Sequence, residues 1–223
     1  MAEAKERAAV PESPRIAALR HSLAAGTEAR ATLTAFWDEV ARSGTPLVEA
    51  IPGDDGHLLV TFLWRDAGPP EDTRNVVLFG GPAGWTVAHN HLLRLPGTDV
   101  WYRSYRVRAD ARLAYWLSPN DCLLETYQID PYDAEAVEAR LATAGLDPFN
   151  RRPYPAERPV YSTVELPGAP PEPFIGRRPW VARGTVQVSA FRSRLLGNER
   201  RVWRYTPPAT APGRGRPASS PGR

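Results

Sequence analysis

The side chains best suited to chemistry in this chain are the rings and guanidinium groups around the run Leu95-Pro96-Gly97-Thr98-Asp99-Val100-Trp101-Tyr102-Arg103-Ser104-Tyr105. A planar ring beside an arginine suits a flat anion, because the ring stacks while the guanidinium fork donates paired hydrogen bonds. Arg94, Trp101 and Arg103 are the candidate contacts, with His89 close by in sequence. Alternation places Val100, Tyr102, Ser104 and Arg106 on one strand face and Trp101, Arg103, Tyr105 and Val107 on the other. The same pattern fits a core strand whose arginine stems run along buried rings, so residue types leave both readings open.

Other reactive groups lead to less. His89-Asn90-His91 has metal-ligand side chains, but no Cys or His cluster supplies the remaining ligands, and no metal or cofactor is expected. The single cysteine, Cys122, has no partner for an internal disulfide and is read as a small hydrophobe rather than a nucleophile. Gly80-Gly81-Pro82-Ala83-Gly84 is followed by no Lys-Ser/Thr helix, so it is a flexible loop rather than a phosphate cradle. None of the serines lies on a G-x-S-x-G elbow, and all four histidines (His21, His57, His89, His91) precede residue 92.

The elements that must position these groups follow from periodicity. Helices are predicted over Pro14 to Ala25 and from an N-cap at Thr27 to a terminator at Gly44. From Pro46 the period becomes two, with strands at Leu47 to Ile51, His57 to Trp64, Asn75 to Phe79, Val100 to Val107 and Arg112 to Leu117. Gly53 to Gly56 reads as a hairpin turn, Asp133 to Gly145 as a short helix and Val160 to Leu166 as a strand. Strands Gly184 to Ser193 and Arg200 to Tyr205 form a hairpin about Gly197-Asn198.

Composition sets the remaining bounds. The 223 residues carry a net charge of +3, yet residues 1 to 150 sum to −7 and residues 151 to 223 to +10. Without a recognisable binding fold the basic half does not imply nucleic acid. No apolar run approaches the roughly 20 residues of a membrane span, and the start lacks a secretory hydrophobic stretch, so no membrane partner and a cytoplasmic location are expected.

The quoted segments together resemble the enterochelin (enterobactin) esterase family. They are FWDEVARSGTPLVE from Phe36, VTFLWRD from Val60, FGGPAGW from Phe79, LPGTDVWYRSYRV from Leu95, YWLSPND from Tyr115, DPFNR from Asp147 and RGTVQVSAFRSRLLGNERRVWRYTPP from Arg183. Composition without periodicity reads residues 1–12 as disordered, and the resemblance implies a mainly β chain in which residues 13–166 form N-terminal helices plus an immunoglobulin-like β-sandwich. A proline-rich linker at 167–182 and a disordered tail at 209–223 would flank an orphan β-hairpin at 183–208, similar to the opening strands of an α/β-hydrolase domain. The partners implied are a ferric catecholate siderophore, with iron present only as part of that substrate, and a separate α/β-hydrolase domain. The catalytic half is expected to be missing from this chain, which would then not hydrolyse esters alone. The alternative is a free-standing immunoglobulin-like module for carbohydrate or a protein partner.

Overall fold

The computed structural model describes residues 11–208 apart from Thr27, 70–71, 126–127, 130–132, 155–160 and 173–178. These form two compact units, Met1–Pro170 and Pro171–Arg223. The first opens with α1 (Pro14–Ala24) and α2 (Ala29–Ser43). Ser13 Oγ accepts the Ile16 N–H at 3.3 Å and donates to Glu49 Oε2 at 2.5 Å, while the Arg15 N–H donates to Glu49 Oε1 at 3.1 Å. A carboxylate therefore meets the positive end of α1, whose first residue, Pro14, has no N–H to satisfy. Thr27, the predicted cap of α2, lies outside the described residues, and Glu28 makes no side-chain capping bond. Gly44, at φ +82°, ends the helix as predicted.

The strands of this unit are β1 (Leu47–Ile51), β2 (Asp54–Arg65), β3 (Val76–Gly80), β4 (Leu93–Arg94), β5 (Val100–Arg108), β6 (Arg112–Pro119) and, after α3 (Ala134–Thr143), β7 (Ser162–Glu165). They build two antiparallel sheets, one ordered β1-β2-β5-β4 and the other β3-β6-β7. The turn predicted at Gly53 to Gly56 is tighter than expected. Pro52 and Gly53 alone make it, because Pro52 presets φ and Gly53 takes φ +76°, and Asp54 already pairs with Ile51.

Alternation sorts each strand between two cores. Phe62, Trp101, Val107, Leu78, Tyr115, Leu117 and Val164 fill the space between the sheets, whereas Leu47, Leu63 and Val100 face Ile16, Leu19, Trp37 and Val40 of the helices. Each buried Val, Leu or Phe contributes about 1.5–3 kcal/mol, so the helices are a working layer of the fold. The segment 90–94 joins the sheets at one edge. The Leu78 N–H donates to the Asn90 carbonyl at 3.0 Å and the Leu92 N–H to the Val76 carbonyl at 2.9 Å, after which Leu93 and Arg94 pair with Tyr102 and Trp101 of β5.

A buried polar cluster ties the layers at the opposite edge, beside β1 and β7. Tyr115 Oη donates to Asp147 Oδ2 at 2.8 Å, and the Phe149 N–H donates to Asp147 Oδ1 at 3.0 Å. Asn150 Nδ2 lies 2.9 Å from the Thr45 carbonyl, 3.0 Å from Tyr115 Oη and 3.0 Å from the Thr163 carbonyl. Phe149 stacks on Trp37 at 5.2 Å, and Arg151 Nη2 donates at 2.6 Å to the Ala41 carbonyl in the last turn of α2. Burial pushes the Asp147 carboxyl above its ordinary range, and burial followed by the neighbouring Asp147 charge pushes Tyr115 well above its own.

The second unit holds β8 (Thr185–Ser193) and β9 (Asn198–Thr206), paired antiparallel. The chain reverses over residues 194–197, with Gly197 at φ +62°, so Asn198 opens a strand instead of sharing the turn. Register places Val186, Val188, Ala190, Trp203 and Tyr205 on one face and Gln187, Ser189 and Arg204 on the other. Among the described residues no helix is long and apolar enough to cross a membrane.

Two outcomes follow. Asn150→Ala removes the one amide NH2 group that the Thr45 carbonyl, Tyr115 Oη and the Thr163 carbonyl share, and is expected to cost about 3 kcal/mol, read from urea unfolding midpoints. Because native Asp147 holds its proton more tightly than the unfolded chain, its contribution is full below the unfolded value of about 4 and falls as pH rises through the raised native value. The stability of wild type relative to Asp147→Asn should therefore decline from pH 4 upward; a pH-independent difference would show that Asp147 titrates normally.

Candidate functional site

The end of the first sheet where β2 finishes and β5 begins carries two Trp–Asp–Arg groupings, one on each face. On the face toward the second sheet, Trp101 Nε1 donates to Asp66 Oδ1 at 2.9 Å, Arg94 Nη2 to Asp66 Oδ2 at 2.8 Å, and the Arg94 guanidinium lies 5.5 Å from the Trp101 ring centroid. On the helix face, Trp37 Nε1 donates to Asp99 Oδ1 at 2.9 Å, Arg65 Nε to Asp99 Oδ2 at 2.9 Å, and Arg65 lies 5.2 Å from the Trp37 ring centroid. The Asp66 N–H donates to the Asp99 carbonyl at 2.9 Å and links the two groupings through the backbone.

Local sequence produces this geometry. Arg65 and Asp66 are neighbours at a strand end and so point to opposite faces, and Arg65 pairs in register with Val100. The Leu95 to Asp99 turn is closed by Thr98, whose hydroxyl donates to the Leu95 carbonyl at 2.8 Å and accepts from the Val100 N–H at 3.1 Å. A cavity of about 450 Å³ opens at this end, lined by Leu33, Asp66, Gly68, Arg94, Gly97, Thr98 and Asp99.

The structure brings Arg94, Trp101 and Arg103 onto one face. Arg94 and Trp101 are paired neighbours on β4 and β5, and Trp101 is 7% exposed within the inter-sheet core. Arg103 donates from Nη1 to the His91 carbonyl at 2.8 Å and lies 5.7 Å from the Tyr105 ring. Burial, partly offset by the Arg103 charge, raises the Tyr105 hydroxyl to about 12. His89 stands on a separate element, the 3-10 turn Val87–His89, and is exposed. The carboxylate of Glu125 accepts the Val87 and Ala88 N–H groups at 2.8 and 2.9 Å, which holds it below the usual carboxylate range.

Two further clusters lie on the second sheet. Phe79, Trp85, Trp116 and Tyr161 form a row of rings, with Trp85 and Trp116 centroids 5.2 Å apart and Trp116 and Tyr161 4.9 Å apart. Arg140 of α3 reaches Asp121 at 3.1 Å, with both side chains nearly inaccessible, and its Nη2 lies 3.4 Å from Cys122 Sγ. No group of three or more His, Cys, Asp or Glu side chains able to hold a metal occurs among the described residues.

Comparison with known proteins identifies the class. Residues 59–175 match the family described as enterochelin esterase, N-terminal, and the chain belongs to that family. It is 33% identical to the iron(III) enterobactin esterase of Dickeya dadantii over 219 residues, covering 86% of this chain and 46% of the relative. The iron(III) enterobactin esterase of Yersinia enterocolitica is 32% identical over 190 residues, covering 76% of this chain and 53% of the relative. The crystal structure of the ferric enterobactin esterase of Salmonella typhimurium superimposes with a TM-score of 0.52 at 27% identity, covering 76% of this chain and 45% of that one. The chain thus spans about half the length of the curated relatives it matches.

Sequence reasoning selected Arg94 and Trp101 but missed Trp37, Arg65, Asp66 and Asp99. The available signal was the near-mirrored order of Trp64-Arg65-Asp66 and Asp99-Val100-Trp101, two strand ends that each carry an acid and a tryptophan. The two carboxylates should differ in stability effect. Asp66, with its side chain 1% exposed, is the carboxylate that Arg94 Nη2 and the Trp101 indole N–H lose together when it is replaced. Asp66→Ala is expected to cost about 3 kcal/mol, against about 1 kcal/mol for Asp99→Ala beside the more exposed Arg65, as read by urea unfolding.

Proposed function

We propose that this chain is the substrate-side, immunoglobulin-type part of a siderophore esterase, acting in the cytoplasm on ferric catecholate siderophores. Iron enters only as part of the substrate. Family membership carries the reading, since the relatives named above are iron(III) enterobactin esterases. In this proposal the edge bearing Arg94, Trp101 and Arg103, with His89 toward its rim, faces the siderophore, whose rings and negative charge suit indole and guanidinium groups. Ester hydrolysis is supplied by an α/β-hydrolase domain, because the 223 residues contain no serine on a G-x-S-x-G elbow with a histidine after it. The hairpin of β8 and β9 is the contact to that domain, its Val186, Val188, Trp203 and Tyr205 side chains being 55–62% exposed.

The purified chain is expected to bind a ferric tris-catecholate in a calorimetric titration and to show no esterase activity alone. Adding a hydrolase domain from a relative should restore hydrolysis. Turnover by the chain alone would overturn the division of labour, and absence of binding would overturn the substrate-side role.

A further inference from the structure

Resting on that reading, we infer that Arg65, on the helix-facing side of the sheet end, is the guanidinium that engages the anionic oxygens of the ligand, while Arg94 and Trp101 frame the site. The two Trp–Asp–Arg groupings have the same composition but differ in how many donors they leave open. Arg94 spends Nε on the Thr98 carbonyl at 3.1 Å and Nη2 on Asp66 at 2.8 Å, and its side chain is 26% exposed. Arg65 spends only Nε, on Asp99, and is 44% exposed. Among the described residues neither Nη group of Arg65 has a hydrogen-bond partner.

That combination describes a preorganised anion fork. The Asp99 bond and the Trp37 ring fix the guanidinium at one edge and over one face, so little conformational freedom is lost when a ligand meets the remaining N–H groups. Those groups present the parallel donors that match a carboxylate or a pair of catecholate oxygens. Space for a ligand lies beyond Asp99, the partner of Arg65, which lines the 450 Å³ cavity together with Leu33, Asp66 and Arg94. Asp99 already balances the formal charge of Arg65, so recognition rests on directed hydrogen bonds and depends on the fork more than on the charge.

The test is a calorimetric titration of wild type, Arg65→Lys and Arg108→Lys, the latter at the exposed far end of β5 and outside the site, with a ferric tris-catecholate and, separately, with 2,3-dihydroxybenzoate, after thermal melts confirm that each variant is folded. Lysine keeps the charge and removes the fork. The expected result is wild-type binding of both probes, at least a tenfold loss in Arg65→Lys and less than a threefold loss in Arg108→Lys. Equal affinity of wild type and Arg65→Lys for the ferric complex would overturn the assignment of Arg65 and leave the siderophore reading intact. Binding of 2,3-dihydroxybenzoate that Arg65→Lys abolishes, with no binding of the ferric complex, would keep the anion fork and overturn the siderophore reading. No binding of either probe by wild type would overturn both.

Discussion

The carboxamide of Asn150 bears on every layer of the first unit. Its nitrogen faces the Thr45 carbonyl just before β1, the Tyr115 hydroxyl of β6 and the Thr163 carbonyl of β7, so one side chain spans both sheets. Its neighbours extend the tie to the helices, through Phe149 stacked on Trp37 and Arg151 on the Ala41 carbonyl. Apolar contacts between two sheets are not directional and tolerate sliding, whereas a half-buried carboxamide facing three fixed acceptors is satisfied in only one register. The segment Asp147 to Arg151 is therefore a polar lock, in which Asp147 and Asn150 meet the sheets while Phe149 and Arg151 meet α2.

The end of the first sheet where β2 finishes, joined to this lock through Trp37, is organised by the same need to satisfy polar donors. Two indole N–H groups and two guanidinium groups meet two carboxylates, and the backbone bond between Asp66 and Asp99 keeps the groupings in step. The inner grouping sets Trp101 into the inter-sheet core, the outer one leaves Arg65 44% exposed, and both reach the same cavity, through Asp66 and Arg94 on one side and Asp99 on the other. The same chemistry thus serves packing on one face and leaves donors unused on the other.

Periodicity made most of the first sheet legible. The alternation from Val100 to Val107 assigned each side chain to its correct face, because a strand with a core on both sides has no freedom of register. Helix boundaries were readable where Gly44 imposed a positive φ, and the tight Pro52-Gly53 turn was missed because the polar run after it resembles a longer loop. Strand β4 was invisible, since two residues carry no period. The Asp99 pairing to Trp37 and Arg65 was hidden for a different reason: its partners are 62 and 34 residues away, and only the fold brings them together. The family motifs marked these positions without revealing that most of them hold one another.

The passage from Asn90 to Arg94 deserves to be seen as a mechanical part. It is hydrogen-bonded to the edge of β3 and then, within three residues, to β5 of the other sheet. The Arg103 guanidinium, bonded to the His91 carbonyl, rivets its middle to the strand it is about to join. A strap fastened to both walls makes that side of the body a closed seam, so the two sheets cannot splay apart there without breaking both sets of bonds. On the other side, at β1 and β7, the lock around Asn150 takes the place of such a strap.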